Sequence, residues 1–277
     1  MMQQIRSLLF APGNKGELLQ KFPKIQPDAA IIDLEDAVPD SQKDIARENL
    51  KKFSAEFKNE QFLVFARVNP VSSKYFESDL SVTDFEIDGV IIPKISQIAE
   101  LQKAEALLAT SPLSNKIIVG IETVKGLVSA SEILAASSVM GAYFGAEDYV
   151  ADLGGIRTVS NEEVLFARTQ MGIAARLNEV PVYDQIVSDF TDTERFVNEA
   201  GKARSLGFAG KLCIHPSQVA LANTSFSPSG EEIKKAKELL ATYEEAVLRG
   251  SASVVFDGKM IDEALAKQAR WVLSLEN

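Results

Sequence analysis

Charged side chains in this sequence gather directly behind short apolar runs. Asp33-Leu34-Glu35-Asp36 follows one run, Arg67-Val68-Asn69 ends the next, and Pro93-Lys94 closes a third. Glu122 and Glu147-Asp148 follow two more, Asp184 and His215 stand at two others, and Pro12-Gly13-Asn14-Lys15 comes after the first. Carboxylates crowded into one mouth repel each other unless a cation sits among them. Oxygen ligands select a hard cation, and one or two carboxylates completed by water and substrate oxygens is how Mg²⁺ is usually held. Glu122 and Asp148 are the expected pair. The sequence has no HExxH motif, a single cysteine and a single histidine, so zinc finds no ligand set. Arg67 and Lys94 bring the opposite sign, and an arginine can grip a carboxylate with two bonds or steady a developing oxyanion. Plainer roles compete: Asp36, Asp148 and Asp184 could each cap the helix that follows, and Lys94 could be tied in a rim salt bridge. His215 precedes a proline, which holds its backbone extended. With no carboxylate assigned to orient it, a substrate contact or a structural role is expected before a base.

For these residues to meet, the runs that carry them must be neighbouring strands. Eight apolar, β-branched-rich runs lie at 7–11, 29–34, 62–68, 89–92, 116–121, 141–144, 180–186 and 210–214. Most are continuously apolar, the mark of strands covered on both faces. Between them, segments with helical spacing lie at 41–53, 96–108, 123–136, 161–177 and 191–206. In the last of these, Thr191 and Glu194 have the spacing of a capping box, and Gly207 stands where a helix-ending glycine belongs. Strand–helix alternation repeated eight times predicts an α/β (β/α)₈ TIM barrel, whose active site forms at the carboxyl ends of the strands. An open doubly wound sheet is the competing arrangement, but no GxGxxG follows the first run. The barrel is expected over 1–223. A polar stretch at 223–230 leads into a C-terminal extension over 224–277, with a charged helix, a short strand-like piece, a turn at Asp257-Gly258 and a last helix. That extension could be a lid, a brace or an arm onto a neighbouring subunit.

The chain has 277 residues, 46% of them hydrophobic and 25% charged, with a net charge of −10. A core of good size can be buried. The acidic balance argues against nucleic acid and anionic membranes as partners, while leaving room for a local basic pocket that takes an anionic small molecule. No apolar run reaches the roughly 20 residues needed to span a bilayer. The amino-terminal residues lack a signal-peptide pattern, and a lone cysteine offers no internal disulfide. A cytoplasmic protein is expected.

The motifs also resemble a known group. The chain is similar to the citrate lyase β-subunit-like group of the HpcH/HpaI aldolase family, which takes in malyl-, citramalyl- and citryl-thioester lyases. The shared stretches are Arg6-Ser7-Leu8-Leu9-Phe10-Ala11-Pro12-Gly13-Asn14, Asp33-Leu34-Glu35-Asp36-Ala37-Val38, Arg67-Val68-Asn69, Pro93-Lys94, Gly120-Ile121-Glu122-Thr123, Phe144-Gly145-Ala146-Glu147-Asp148-Tyr149, Cys213-Ile214-His215-Pro216-Ser217-Gln218 and Asp257-Gly258-Lys259-Met260-Ile261-Asp262. Each alone is weak, but their number and order are specific. The resemblance implies a TIM barrel with Mg²⁺ on Glu122 and Asp148, and Arg67 against the substrate's carbonyl or carboxylate. It places Glu35 and Asp36 behind the metal, holding waters or Lys94. It runs the thioester arm of coenzyme A, or of an acyl carrier protein, past Pro12, Asn14, Lys15 and the segment around His215. It also implies that Asp262 reaches the active site of a neighbouring subunit for acid–base catalysis, hence a homo-oligomer, a trimer or a hexamer. The implied reaction is reversible cleavage of a 3-hydroxyacyl thioester to an acyl thioester, such as acetyl-CoA, and a 2-oxo acid.

Three rivals stand beside it. One is the citryl-carrier-protein lyase β subunit of a citrate lyase complex, or a binding module without turnover; the intact Asp262 argues against the latter. Another is a metal-dependent pyruvate aldolase, which has less use for the thioester segments. The third is a sugar-phosphate barrel, but Asp184-Gln185 and His215-Pro216 replace the glycine-rich phosphate turns it needs.

Overall fold

Continuous apolar runs leave a strand one stable home, a sheet covered on both faces. The computed structural model, which describes residues 4–81 and 86–276, places all eight runs there. They form β1 (Ser7–Pro12), β2 (Ala29–Asp33), β3 (Leu63–Arg67), β4 (Gly89–Ile92), β5 (Ile117–Ile121), β6 (Val139–Phe144), β7 (Val182–Asp184) and β8 (Gly210–Cys213). All pair in parallel and in sequence order, and β8 closes onto β1 to complete the barrel. Leu8, Ile31, Phe65, Ile91, Tyr143 and Leu212 belong to the apolar cluster of the barrel. The register matters for chemistry: Asp33 lies beside Arg67, and Gly120 beside Tyr143.

Helices α1 (Gly16–Leu19) and α2 (Phe22–Ile25) follow β1, and α3 (Lys43–Glu56) follows β2. Then come α4 (Phe76–Leu80), α5 (Ile98–Leu108), α6 (Val124–Val128), α7 (Ala130–Leu134), α8 (Ala146–Leu153), α9 (Glu162–Asn178), α10 (Thr193–Ser205) and α11 (Ser217–Ser225). The helix expected over 123–136 is two: Ser129, at ψ 0°, breaks the ladder between α6 and α7. The capping box expected at Thr191 does not form. Asp192 caps α10 instead, accepting from Arg195 N at 2.9 Å, while the Thr191 hydroxyl donates to Asp189 at 2.6 Å. An aspartate one residue closer to the helix outcompetes a threonine already engaged. Gly207 does end α10, at φ 90°.

The chain divides into two compact units, Met1–Asn223 and Thr224–Asn277. In the second, α12 (Gly230–Leu248) starts at a full capping box: Ser229 Oγ accepts from Glu232 N at 3.2 Å, and Glu232 accepts from Ser229 N at 2.8 Å. A hairpin of β9 (Val254–Phe256) and β10 (Lys259–Ile261) turns at Asp257-Gly258, both at positive φ, as a two-residue hairpin turn requires. Helix α13 (Glu263–Ser274) packs with them around Tyr243, Ile261 and Ala266. Among the described residues, no helix is long and apolar enough to cross a membrane.

One expected rim residue lies elsewhere. Asp184 follows Tyr183 on β7, and because Tyr183 belongs to the barrel cluster, Asp184 points outward to the helices. It neither caps a helix nor lines the mouth. It is fully buried between Arg168 of α9, at 2.9 Å, and Lys211 of β8, at 2.6 Å. Glu199 of α10 joins through Arg195 at 2.7 Å and Lys211 at 3.7 Å. Burial alone would raise the Glu199 carboxyl, but Lys211, Arg195, Asn161 and Gln185 outweigh it and hold it below the ordinary range. Its stabilisation is therefore present above that range and lost as the pH falls below it. Lys211→Met would strand Asp184 as a buried charge facing Arg168 alone. It is expected to cost about 3–5 kcal/mol, read as a fall in thermal midpoint of roughly 10 °C in a melt of the purified protein.

Candidate active site

The in-register pairing of β2 with β3 builds the centre. Arg67 donates through Nε to Asp33 Oδ1 at 2.7 Å and through Nη2 to Asp33 Oδ2 at 2.6 Å. Its Nη1 lies 3.1 Å from Glu35 Oε2, and the guanidinium stacks over the Phe10 ring at 5.0 Å. Burial works against the charge, but Asp33 foremost, with Glu35, keeps the group firmly protonated. The two-bond grip fixes the plane of the guanidinium as well as its position.

Lys94 is the hub of the rim. Its Nζ lies 2.8 Å from Asp36, 2.9 Å from Glu35 Oε1 and 3.6 Å from Asp148 Oδ1. Its backbone sits in the left-handed region at φ 56°, a conformation that costs a lysine about 1–3 kcal/mol. That turn aims the Lys94 amide at Glu122 Oε1, 3.1 Å away. Burial would lower the ammonium, but Asp36, Glu35 and Asp148 carry it above its ordinary value. Burial would raise Asp36, and Lys94 chiefly holds it low. Glu35 goes the other way: burial raises it, and Arg67 and Lys94 do not fully compensate. Neither Glu35 oxygen accepts a well-directed hydrogen bond, although both cations are within ion-pair distance.

Glu122, just past β5, is buried and receives the Tyr143 hydroxyl on Oε1. Two glycines make its berth. A Cβ on Gly120 would lie 2.5 Å from Glu122 Oε1 and from Tyr143 Oη; one on Gly145 would lie 2.7 Å from Glu122 Oε2. Burial first, then Glu35 and Asp148, lift the Glu122 carboxyl to about 7, against the lowering effect of Tyr143 and Arg67. Asp148 stands in the first turn of α8, whose N-cap position belongs to Gly145, so the capping role does not fall to Asp148.

A buried polar net holds the Asp33-Leu34-Glu35-Asp36 corner from below. Lys43 Nζ donates to Leu34 O at 2.7 Å, Glu35 O at 2.9 Å and Asn69 Oδ1 at 2.8 Å. Asn69 and Arg47 converge in turn on buried Asp79. Sequence reading singled out neither Lys43, Asp79 nor Tyr143. The one available signal was Gly120, since a glycine inside a strand marks a close approach.

The remaining expected residues are placed as follows. Asn14 donates to Gln42, Lys15 is exposed, and Pro12 closes β1 beside Asp33. His215 has no carboxylate partner among the described residues. Its Nδ1 lies 2.8 Å from Ser217 Oγ and its ring stacks on Phe190 at 4.5 Å. Asp262, in the second unit, is the N-cap of α13, accepting from Ala264 N at 3.0 Å and Leu265 N at 3.3 Å.

Glu122, Asp148, Glu35 and Asp36 each offer oxygen donors, the kind that suits a hard cation. Among the described residues no three His, Cys, Asp or Glu side chains are grouped to hold a metal by themselves. A cation here would rest on two carboxylates and draw its other ligands from water and substrate. The undirected Glu35 oxygens and the glycine berth of Glu122 fit such an ion.

Comparison with known proteins bears on the same residues. A family model for HpcH/HpaI aldolase/citrate lyase matches residues 6–216. The citrate lyase subunit beta-like protein of Deinococcus radiodurans is 43% identical, over 98% of this chain and 97% of that protein. A (3S)-malyl-CoA thioesterase of Cereibacter sphaeroides is 34% identical, over 97% of this chain and 93% of its own. The crystal structure of protein CitE from Mycobacterium tuberculosis in complex with magnesium, acetoacetate and coenzyme A superposes with a TM-score of 0.84 at 27% identity, covering 99% of this chain and 98% of that one. With the barrel, the strand-end residues and these matches together, the chain belongs to the HpcH/HpaI aldolase/citrate lyase family.

Proposed function

We propose that the chain is a Mg²⁺-dependent carbon–carbon lyase that reversibly cleaves a 3-hydroxyacyl thioester of the malyl-, citramalyl- or citryl-CoA kind. The products are an acyl-CoA, such as acetyl-CoA, and a 2-oxo acid. The carrying observation is Glu122, buried in its glycine berth, with Lys94 at the neighbouring strand end and Arg67 one strand beyond. Glu122 and Asp148 would hold the ion, which supplies Lewis acidity and a template for the oxo-acid oxygens. Magnesium in the related CitE complex supports that choice.

The chain's own residues do the rest. Glu35, its carboxyl raised by burial and gathered with Asp36 by Lys94, receives the hydroxyl proton in the cleavage direction. The bond from the carbinol carbon to the thioester α-carbon then breaks, and its electron pair moves into the thioester as an enolate. Arg67, held in plane by Asp33, faces the oxygen on which negative charge collects. Asp262 of a neighbouring copy, protonated beforehand from water, gives its proton to the α-carbon, and Glu35 releases the hydroxyl proton to water, so one proton has moved in sum from the hydroxyl to the α-carbon. Exposed Lys15, with Pro12, Asn14 and His215, flanks the path of the coenzyme A arm.

Purified protein with Mg²⁺ and each of malyl-, citramalyl- and citryl-CoA tests this directly. Equal amounts of acetyl-CoA and a 2-oxo acid from one of them are expected. The absence of carbon–carbon cleavage with every thioester, on CoA or on an acyl carrier protein, sinks the idea. Cleavage only on the carrier protein would place the chain as the β subunit of a larger lyase. The thioesterase relative favours one second reading, hydrolysis; it would release free CoA thiol and a hydroxy acid, with no 2-oxo acid.

Asp262 admits a test that separates chemistry from folding. Asparagine caps a helix as well as aspartate, so Asp262→Asn is expected to melt like the parent, whereas Asp262→Ala loses about 1 kcal/mol. Both are expected to lose turnover by about 10²-fold or more. An Asp262→Asn enzyme with parental turnover removes the acid–base role.

A further inference from the structure

Tyr143 packs its ring into the apolar cluster of the barrel, yet its hydroxyl reaches the carboxylate of Glu122. Burial foremost, then the charge of Glu122, keeps the phenol protonated well above its ordinary range. It therefore stays a hydrogen-bond donor through the neutral range, with one proton to give. Glu122 Oε1 takes it. The amide of Lys94 donates to the same oxygen, at 3.1 Å. No described residue donates to Oε2, and that oxygen is not sealed from solvent.

This asymmetry governs how Glu122 can serve a metal. The last torsion of a glutamate is soft, so the side chain alone does not choose which oxygen faces the mouth. Two donors on Oε1 make that choice. A carboxylate oxygen that accepts two hydrogen bonds has spent both lone pairs, so Oε2 is the one left for a cation. The strands are built for the contact: the β5–β6 register sets Tyr143 beside Gly120, and only a glycine there lets the hydroxyl meet Oε1. A Cβ at Gly120 would lie 2.5 Å from both atoms. Asp148 has no such support; it is half exposed and meets Lys94 Nζ only at 3.6 Å. We propose that Tyr143 is a positioning residue for the metal, pinning Glu122 Oε1 and leaving Oε2 as the single oxygen that Glu122 gives to the ion. This rests on Glu122 being a ligand of the ion, as in the function proposed above, and adds the oxygen it offers and the group that presents it.

Tyr143→Phe removes the hydroxyl and keeps the ring in its packing. Outer hydrogen bonds orient the groups that hold a metal, and losing one typically weakens the ion about 10- to 100-fold. In a Mn²⁺ titration at about pH 8, followed by the electron paramagnetic resonance of the free ion, the apparent dissociation constant is expected to rise about tenfold. A tyrosine that only packs would lower the melting midpoint and leave that constant where it was. Parental Mn²⁺ affinity in Tyr143→Phe, with binding lost in Glu122→Gln, overturns the positioning role while the ligand role of Glu122 stands. A parent that binds no Mn²⁺, or binding that survives Glu122→Gln, overturns both. Should the phenylalanine variant fail to fold, a crystal structure of the parent with Mg²⁺ decides. The ion is expected on Oε2, with the Tyr143 hydroxyl still on Oε1. An ion on Oε1, or on both oxygens with the hydroxyl displaced, refutes the positioning role.

Discussion

Glu122→Gln is expected to cut turnover by about 10²–10³-fold and to abolish Mg²⁺ binding, and a second readout needs no substrate. In the protein without metal, Glu122 holds its proton up to about 7, far above the ordinary value of 4.5, because burial and the nearby Glu35 and Asp148 disfavour its charge. The native state therefore binds that proton more tightly than the unfolded chain does. Stability from this source is full below about 4.5 and is lost as the pH rises through about 7, by roughly 3 kcal/mol. Mg²⁺ binds the charged form, so it should restore what the rising pH removes. Melting the parent from pH 5 to 8 with and without Mg²⁺ should show a falling midpoint that the ion reverses above pH 7. Glutamine keeps the shape and can still meet Tyr143, but it has no proton to lose. Its midpoint should be flatter over that range and indifferent to Mg²⁺. If Mg²⁺ raises the midpoint of the glutamine variant as much as the parent's, the ion binds elsewhere.

Why some of this was legible in the sequence follows from what is local. The barrel could be read because most of the eight runs lack polar alternation, and a strand of that kind must be covered twice. The rim could be read because strand ends in such a barrel share one mouth, so Glu35, Arg67, Lys94 and Glu122 meet without any knowledge of register. What could not be read depended on direction or on distant partners. Asp184 sits at a strand end like the others, but one step of the two-residue period turns it to the helices. Tyr143 enters the site because β6 pairs with β5 in a register that brings it beside Gly120. Lys43 lies on a helix face that looks solvated until Asn69, far along the chain, closes over it. Thr191 met the capping pattern, but its hydroxyl is engaged by Asp189 and Asp192 takes the cap.

Arg67 should show the largest joint effect on stability and chemistry, because two buried carboxylates depend on it. Arg67→Ala leaves Asp33 without its partner and Glu35 with Lys94 alone, and is expected to cost about 3–5 kcal/mol in denaturant unfolding. A loss of turnover in that variant does not isolate the chemistry, since the same change removes the support of Asp33 and Glu35. Arg67→Lys separates the two roles. An ammonium can neutralise Asp33 but cannot hold both its oxygens and reach Glu35 in one plane. Most of the stability is therefore expected to survive while kcat still falls about 10²-fold. Asp33→Asn approaches from the other side: the guanidinium keeps its charge but loses the charged, two-oxygen grip that aims it. Its kcat should fall with little change in the Mg²⁺ needed for half-maximal activity, because Asp33 engages Arg67 and not Glu122 or Asp148. A lysine variant with parental kcat would confine Arg67 to holding the β2–β3 corner together. The developing negative charge would then be met by the metal and Lys94 alone.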